Sequence, residues 1–245
     1  MDRLIYTAIS GANAALNRQS VLAANLANAS TPGFRAELST FRAVPVRGEG
    51  SPTRVYVLEA TAGYLDTPGA AQRTSRNLDV MAQGNAWFAL QALDGTEAYT
   101  RAGSLNISAD GTLTSSQGLP MLDEAGAPIS IPAGSDINFG VDGVISVSQP
   151  GRPPTTAGRL KMVTPTEVQS LQRSADGFFR SRDGETLPAD RTAKLSAGVL
   201  ESSNVNPVEA MVGMINAARQ FEAQMRLIQT AEANDKSATQ LLGIQ

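Results

Sequence analysis

An apolar seam with steps of three and four residues, present at each end of the chain, limits the possible folds of this sequence more than any other feature. Such spacing places the apolar side chains on one face of a helix, and that face needs a partner to cover it. Between the two seams the pattern changes to short β-prone runs and tight turns. The sequence therefore predicts an α+β fold, in which long N- and C-terminal helices pair as a coiled-coil-like layer beside a central antiparallel β domain and a β-rich connector.

The first predicted helix covers residues 4–27, a stretch without proline. Gln19 interrupts its seam once, and the only charged residues after Asp2 are Arg3 and Arg18. Its other faces carry small uncharged polar side chains, which let neighbouring backbones come close. We therefore expect a surface shared with other subunits, and an Ala-rich core helix of a single globular domain is the alternative. The predicted assembly residues on this helix are Ile5, Ile9, Ala12, Leu16, Ala23 and Leu26.

The C-terminal helix has a clear start signal in the sequence. Asn206 is a suitable N-cap, Pro207 holds the first helical position and Glu209 the third, which is an Asn version of the capping box. The helix is predicted to run to about residue 242, a length of roughly 50 Å. The predicted assembly residues on this helix are Met211, Met214, Ile215, Ala218, Phe221, Met225, Ile228 and Leu241.

Five Asp-Gly pairs divide the region between the helices, at 94–95, 110–111, 142–143, 176–177 and 183–184. Asp-Gly suits the positive φ angles of type I′ hairpin turns, so we expect antiparallel hairpins there. The predicted strands are 86–93, 97–101, 105–108, 144–148 and 159–163, with a further β-prone piece at 54–58.

These patterns divide the chain into five predicted segments. They are the N-terminal helix (1–30), an irregular β connector (31–77), the antiparallel β domain (78–187), an extended return segment (188–205) and the C-terminal helix (206–245). Because the whole β region separates the helices in sequence, we expect their pairing to be marginal in an isolated monomer. Neighbouring copies that bury the remaining apolar faces would stabilise the pair.

The composition argues against catalysis. The 245-residue chain contains no His and no Cys, so it lacks the commonest general acid–base group, the commonest metal ligands and any thiol nucleophile. It also has no Gly-x-Ser-x-Gly, Ser-x-x-Lys or P-loop pattern. We therefore predict that the protein is not an enzyme and has no catalytic, cofactor-binding or metal site.

Charge and hydropathy exclude two further kinds of partner. The formal net charge is −3 and no run of Lys or Arg occurs, whereas nucleic-acid binding depends on clustered cations. No run of about 18 apolar residues is present, so no membrane insertion is expected. The opening residues lack the basic cluster and apolar core of a cleaved signal peptide, so export would need a route other than general secretion.

Four motifs, taken together, resemble those of the flagellar rod and hook family. They are ANLANASTPGFR at 24–35, YTRAGS at 99–104, GVLESSNVNPVEAM at 198–211 and AARQFE at 217–222. Their order along the chain matches that family, and the resemblance covers essentially the whole sequence. Within the family, MDRLIYTA at 1–8 and FRAVPV at 41–46 resemble proximal rod members. A distal rod subunit and, outside the family, a secreted non-enzymatic binding module are the alternatives.

The first motif also has a direct physical interpretation. Asn28 lies where the first helix ends and is expected to adopt a left-handed cap. Pro32 and Gly33 fit the two central positions of a type II turn, after which Phe34 anchors the departing chain. The motif and turn residues that we single out are Asn25, Asn28, Thr31, Pro32, Gly33, Phe34, Asn206, Pro207 and Glu209.

The resemblance implies a structural role in the flagellum. It implies an inner layer formed by both terminal helices, export by the type III apparatus without a cleaved signal peptide, and a position in the periplasmic rod of the basal body. The implied partners are other rod proteins, copies of the same chain and the export apparatus during secretion. No cofactor is implied.

Overall fold

The computed structural model describes residues 2–45, 55–166 and 170–242, without the side chains of residues 2–4, 58–62 and 241–242. Helix α1 (Asp2–Ala27) and helix α2 (Pro207–Leu242) stand at the two ends of the described chain, and antiparallel strands lie between them. The predicted α+β class is confirmed, whereas the coiled-coil-like character of the helix pairing stays a prediction. The helix bounds agree with those predicted to within two residues.

The strands are short, and each pair of neighbouring strands for which a register is defined runs antiparallel. Their bounds are β1 (Glu37–Pro45), β2 (Val55–Tyr64), β3 (Ala71–Arg73), β4 (Val80–Ala82), β5 (Trp87–Gln91), β6 (Glu97–Thr100), β7 (Leu105–Ile107), β8 (Leu113–Ser115), β9 (Asp136–Phe139), β10 (Val144–Ser148), β11 (Thr155–Arg159), β12 (Met162–Val163), β13 (Leu171–Arg173), β14 (Phe179–Ser181), β15 (Leu195–Ala197) and β16 (Val199–Glu201).

The chain divides into two compact units. The helical unit comprises Met1–Ala29, Ala36–Leu65 and Val205–Gln245, and the β unit comprises Ser30–Arg35 and Asp66–Asn204. The segment 31–77, which the sequence presents as one connector, is thus divided between them. Its long hairpin β1–β2 belongs to the helical unit, and β3 belongs to the β unit.

Within the helical unit, α1 and α2 pack against each other through small residues. A Cβ atom added at Gly11 would lie 3.0 Å from Gln224 Cδ, and one at Gly213 would lie 3.0 Å from Leu22 Cδ1. These contacts pair the middle of α1 with the middle of α2, and the end of α1 with the start of α2, so the helices are antiparallel. The buried alanines of the two helices are Ala8, Ala12, Ala15, Ala210, Ala217 and Ala231.

The hairpin β1–β2 also packs on α1. Its register runs from Glu37 opposite Tyr64 to Pro45 opposite Val55, with an irregularity between Ser39 and Phe41. On α1, Ser10 Oγ donates to the Val57 carbonyl (3.0 Å) and accepts from the Val57 N–H (3.2 Å). A small polar residue of the predicted contact face therefore binds backbone inside the same unit.

The β unit is organised around a five-stranded sheet in the order β12-β5-β6-β14-β13. A three-stranded sheet (β11-β10-β9) and the pairs β7–β8, β15–β4 and β16–β3 complete the described sheet structure. The core is apolar and includes Phe88, Leu90, Leu105, Leu113 and Ile145, each completely buried. The return segment 188–205 is more than extended chain, because β15 pairs with β4 and β16 pairs with β3.

One predicted strand is wrong. The run 159–163 reads as a single strand, but β11 ends at Arg159 and β12 begins at Met162, and the two lie in different sheets. Met162 and Val163 pair with Phe88 and Trp87 of β5. Pairing with a distant strand decides where each of these strands ends, and the local sequence does not record it.

The type I′ geometry predicted for the Asp-Gly turns is also wrong. Type I′ needs a positive φ at both central residues, and Ser75 is the only non-Gly residue in the described part of the chain with a positive φ. Instead the Gly95 N–H bonds to the Ala92 carbonyl (3.0 Å), while Asp94 Oδ1 accepts from the Thr96 N–H (3.0 Å). Each such turn is a type I turn followed by a left-handed Gly, which hairpins use when the loop is longer than two residues.

A substitution at Gly103 tests how closely the β unit is packed. A Cβ atom at Gly103 would lie 1.6 Å from the Val80 carbonyl oxygen, so Gly103→Ala must displace backbone. We expect Gly103→Ala to lower the free energy of unfolding by about 3 kcal/mol or more, measured by urea denaturation. Gly63→Ala is the control, because nothing lies within 4 Å of its added Cβ atom. Equal stability of the two variants would contradict the packing described here.

Candidate assembly interface

Helix α2 carries two apolar faces. The face towards α1 holds the buried residues Ala210 and Ala217. On the opposite side, four larger side chains follow the spacing of one helical face (i, i+3, i+4, i+7) and are exposed. This α2 outer stripe consists of Val208 (69% exposed), Met211 (51%), Val212 (52%) and Ile215 (54%).

Helix α1 shows a similar division. Tyr6, Ile9 and Leu16 are exposed by 58%, 41% and 45% respectively. Tyr6 and Ile9 line a groove of about 300 Å³ whose other wall includes Phe41 and Val57 of the hairpin β1–β2. The helical unit therefore presents exposed apolar side chains on α1, beside a groove of mixed polarity, and an apolar stripe on α2.

The structure distributes the predicted assembly residues over three environments. Ala12 is buried between the helices, so it cannot contact another subunit directly. The exposed members are Ile9, Leu16, Met211, Ile215 and Met225. The half-buried members are Ile5, Ala23, Leu26, Met214, Ala218, Phe221 and Ile228. The side chain of Leu241 lies outside the described part of the chain. The role of these residues in assembly stays a prediction.

Sequence reasoning missed two sets of residues at these surfaces. Tyr6, Val208 and Val212 are exposed apolar residues that the predicted seams did not include. Gly11 and Gly213 permit the close approach of the helices, and neither was assigned that role. The spacing of the small residues was a readable signal, because residues 8, 11, 12 and 15 fall on one helical face.

The residues of the first motif end α1 and turn the chain. Asn28 is not in the left-handed conformation predicted for it; instead its Nδ2 group donates to the Ala24 carbonyl (2.9 Å) and closes the last helical turn. Phe34 N–H donates to the Thr31 carbonyl (3.2 Å) and Gly33 has a φ of 71°, which is the predicted type II geometry around Pro32-Gly33. A Cβ atom at Gly33 would lie 2.4 Å from backbone atoms of the β unit, so only Gly fits.

Asparagine side chains fix both helices of the helical unit. The buried Asn25 side chain donates from Nδ2 to the Glu37 carbonyl (2.9 Å) and accepts at Oδ1 from the Glu37 N–H (2.8 Å). Asn206 caps α2, since its Oδ1 accepts from the N–H groups of Val208 (3.1 Å) and Glu209 (3.3 Å). These two hydrogen bonds are the N-cap that the sequence predicts at Asn206, and Pro207 occupies the first helical position.

Three charged residues from distant parts of the chain meet inside the β unit, and we call this cluster the motif junction. Glu201 Oε1 lies 2.8 Å from Arg35 Nη1, and Glu201 Oε2 lies 2.7 Å from Arg101 Nη2 and 2.8 Å from Arg101 Nε. All three side chains are 1% exposed. The guanidinium carbon of each arginine is 5.9 Å from the ring centroid of the buried Trp87, which is within cation–π range.

Backbone groups make several further hydrogen bonds at the junction. Glu201 Oε1 accepts from the Gly69 N–H (2.9 Å), Arg35 donates to the Thr67 carbonyl, and Arg101 donates to the carbonyls of Gly84 and Ala86. Burying three charges is costly unless each is paired and hydrogen-bonded. Because the carboxylate serves both cations, its removal would leave two buried charges without their counter-ion.

Titratable groups with shifted pKa values have structural explanations. Burial raises the pKa of Tyr99, whose hydroxyl oxygen accepts from the Leu187 N–H (2.6 Å). Hydrogen bonds from Thr164 and Thr192 lower the pKa of Asp190 to about 2. Among the described residues, no group of three or more acidic side chains is placed to hold a metal ion. Within the same ranges, neither helix combines the length and apolar character needed to cross a bilayer.

Three family models match the chain. They are described as flagella basal body rod protein (residues 5–35), flagellar hook protein FlgE/F/G D1 domain (residues 81–147) and flagellar basal body rod FlgEFG protein C-terminal (residues 196–241). Each matched segment contributes one member of the motif junction: Arg35, Arg101 or Glu201. The class of protein is therefore that of the flagellar rod and hook subunits.

Individual relatives narrow this class. The flagellar basal-body rod protein FlgF of Salmonella typhimurium is 48% identical, with 100% of both chains covered, and the FlgF of Escherichia coli has the same identity and coverage. The flagellar basal-body rod protein FlgG of Bacillus subtilis is 29% identical over 95% of this chain and 96% of its own. The chain belongs to the flagellar basal-body rod family.

Replacing the shared carboxylate tests the motif junction. Glu201→Gln keeps the shape of the side chain but leaves two buried guanidinium groups without a counter-ion, so we expect a loss of about 3–5 kcal/mol in the free energy of unfolding. Urea denaturation of the full chain measures this loss.

Glu124→Gln is a matched control for that variant. Glu124 also bridges two arginines, Arg159 (3.1 Å) and Arg191 (3.2 Å), but it is 27% exposed. Solvent screens such pairs, and we expect its loss to cost at most about 1 kcal/mol. If Glu201→Gln destabilised the protein no more than Glu124→Gln, the motif junction would not be the structural centre of the β unit.

Proposed function

We propose that this chain is a structural subunit of the flagellar basal-body rod and that it polymerises through the outward apolar positions of α1 and α2. The observation that carries the proposal is the α2 outer stripe. Val208, Met211, Val212 and Ile215 remain exposed although α2 already packs on α1 through its opposite face. Because the chain belongs to the flagellar basal-body rod family, a neighbouring subunit of the rod can cover this stripe.

The energetics support assembly through this surface. Complete burial of one such side chain is worth about 1.5–3 kcal/mol. Since each residue of the α2 outer stripe is already partly covered, burial of the rest would contribute about 1 kcal/mol per residue. Four residues on α2, together with Tyr6, Ile9 and Leu16 on α1, give each copy several kcal/mol of favourable association. In this proposal the helix pair is a coiled-coil-like layer completed by neighbouring copies.

We assign the subunit to the proximal rod, which its segments 1–8 and 41–46 resemble. The identity of 48% to relatives named FlgF, against 27–29% to relatives named FlgG, supports a place among the former. We further propose export by the type III apparatus and a position in the periplasmic part of the basal body. The partners are other rod proteins and copies of this chain.

The proposed mechanism is passive transmission of torque by rigid packing, without catalysis or a cofactor. Small residues between α1 and α2 bring the helices close, and close packing resists sliding. A secreted binding module is the second candidate. It is less favoured, since a module that works alone has no use for two exposed apolar surfaces on one helix pair.

A charged residue in either helical surface tests the proposal. We expect Ile215→Asp and Ile9→Asp to block rod assembly, because each would bury an unpaired carboxylate at the subunit contact. The measurement is swimming in soft agar and recovery of basal bodies, in a strain whose only copy of the protein is the variant. Circular dichroism of the purified chain checks that each variant is folded.

Ile107→Asp is the matched control, since Ile107 is 41% exposed, as Ile9 is, but lies on β7 of the β unit. We expect this variant to swim. Normal swimming of both helix variants would contradict assembly through the helices, and loss of swimming in the control alone would move the interface to the β unit.

A further inference from the structure

The most exposed large apolar side chain in the described part of the protein is Leu93, at 96%. It lies in the turn that joins β5 to β6, immediately before Asp94 and Gly95. The turn is held by the bond from Gly95 N–H to the Ala92 carbonyl and by the bond from Thr96 N–H to Asp94 Oδ1. Leu93 is therefore an apolar knob fixed on a well-defined turn, and nothing in the function proposed above uses it.

A groove of about 520 Å³ lies elsewhere in the same unit. Its apolar lining includes Phe139, Val141, Leu195 and Val199, and Val141 is 61% exposed. The volume of the groove exceeds that of a leucine side chain. We call it the β-unit groove.

The knob and the groove belong to opposite ends of strand β5. Leu93 follows its C-terminal end, whereas Gln83, which lines the β-unit groove, precedes its N-terminal end. Two different, complementary surfaces on one body give a head-to-tail contact, which repeats around a ring or along an open assembly. An isologous dimer would instead need the same surface on both partners.

The charges beside the two surfaces are complementary. Arg73 is exposed and lines the β-unit groove. A cleft beside Leu93 is lined by the carboxylates of Asp94, Glu97 and Glu124, each of which pairs with an arginine or lysine. Glu185 also lines this cleft. Glu185 is exposed, and neither it nor Arg73 takes part in an ion pair within the described ranges.

We propose that Leu93 of one copy inserts into the β-unit groove of the next copy, and that Arg73 of the receiving copy faces Glu185 of the donating copy. The occupant is a second copy of this chain, because the chain itself carries both halves of the contact with matching polarity and charge. The inference rests on the proposed function only in that copies assemble; the contact itself lies outside the helices.

A knob of one leucine and one ion pair is small compared with the roughly 1,200–2,000 Å² buried in stable interfaces. The contact therefore adds to helix packing and is not expected to hold copies together alone. Covalent trapping suits such a weak contact. The chain contains no Cys, so introduced cysteines are the only reactive thiols.

The experiment mixes two full-length single-cysteine variants, Leu93→Cys and Val141→Cys, that carry tags of different size. They are oxidised together and the heterodimer is quantified on a non-reducing gel. We expect its yield to exceed that of the control pair Leu93→Cys with Ile107→Cys by about fivefold. The substitution removes most of the apolar contact, so the ion pair between Arg73 and Glu185 is what aligns the two surfaces. Leu93→Cys alone is expected to give no more homodimer than Ile107→Cys alone.

A charge reversal gives a second measurement. Arg73→Glu in the Val141→Cys chain is expected to lower the heterodimer yield by up to about fivefold, as loss of a surface ion pair does. Adding Glu185→Arg to the Leu93→Cys chain is expected to restore it. A yield no higher than that of the control pair, a dominant Leu93→Cys homodimer, or no response to either charge reversal would each overturn the inference.

The outcome is separable from that of the proposed function. With Ile215→Asp added to both chains, the heterodimer is still expected, because the helices do not form this contact. Failure of the cross-link together with loss of swimming in Ile215→Asp would overturn the head-to-tail contact and leave helix-driven assembly intact. Persistence of the cross-link together with normal swimming of Ile215→Asp and Ile9→Asp would overturn helix-driven assembly and leave the head-to-tail contact intact.

Discussion

The β unit depends on one buried carboxylate that two arginines share. Glu201 joins Arg35 and Arg101, so that three segments far apart in sequence are fixed at one buried point. The same region gathers the ends of the β-unit segments, since the Asn204 N–H donates to the Phe34 carbonyl (3.3 Å) and its side chain donates to the Thr67 carbonyl (2.8 Å). The chain leaves the β unit after Arg35 and re-enters it at Asp66. Closing the loop between these segments costs entropy, and the ion pairs at this point help to offset it.

The helical unit solves a different problem, which is to remain a pair while keeping apolar surface for neighbours. It does so by size. Alanine and glycine fill the contact between α1 and α2, while the larger residues Val208, Met211 and Ile215 point away from it. Close-packed small residues give the pair its own stability through dispersion contacts. Larger residues held outward retain the greater share of burial energy for assembly. The division explains how one helix can serve both a monomer and a polymer.

Local signals made part of this structure readable from sequence. The start of α2 followed from Asn206 and Pro207, and the turn at Pro32-Gly33 followed from the φ angles that those residues favour, because both depend on hydrogen bonds within a few residues.

The motif junction could not be predicted from the sequence, although its members lie in or beside recognised motifs. Arg101 and Glu201 are 100 positions apart in sequence, and nothing local indicates that they meet. The split of the run 159–163 into two strands was hidden for the same reason, since pairing with β5 decides it. The outer stripe of α2 was found in part. The predicted assembly residues included Met211 and Ile215, but helical periodicity alone could not say which face α1 covers.

Oxidation of methionine by dilute peroxide can be compared between the free chain and isolated rods that contain it. This comparison tests whether assembly buries the α2 outer stripe. Met211 is 51% exposed in the α2 outer stripe, whereas Met121 is completely buried in the β unit and serves as an internal control. Conversion to the sulfoxide follows access of the reagent to sulfur. We predict that Met211 oxidises readily in the free chain and is protected in the rod, while Met121 stays unoxidised in both. If Met211 oxidised as fast in the rod as in the free chain, the outward face of α2 would not be the surface that assembly covers.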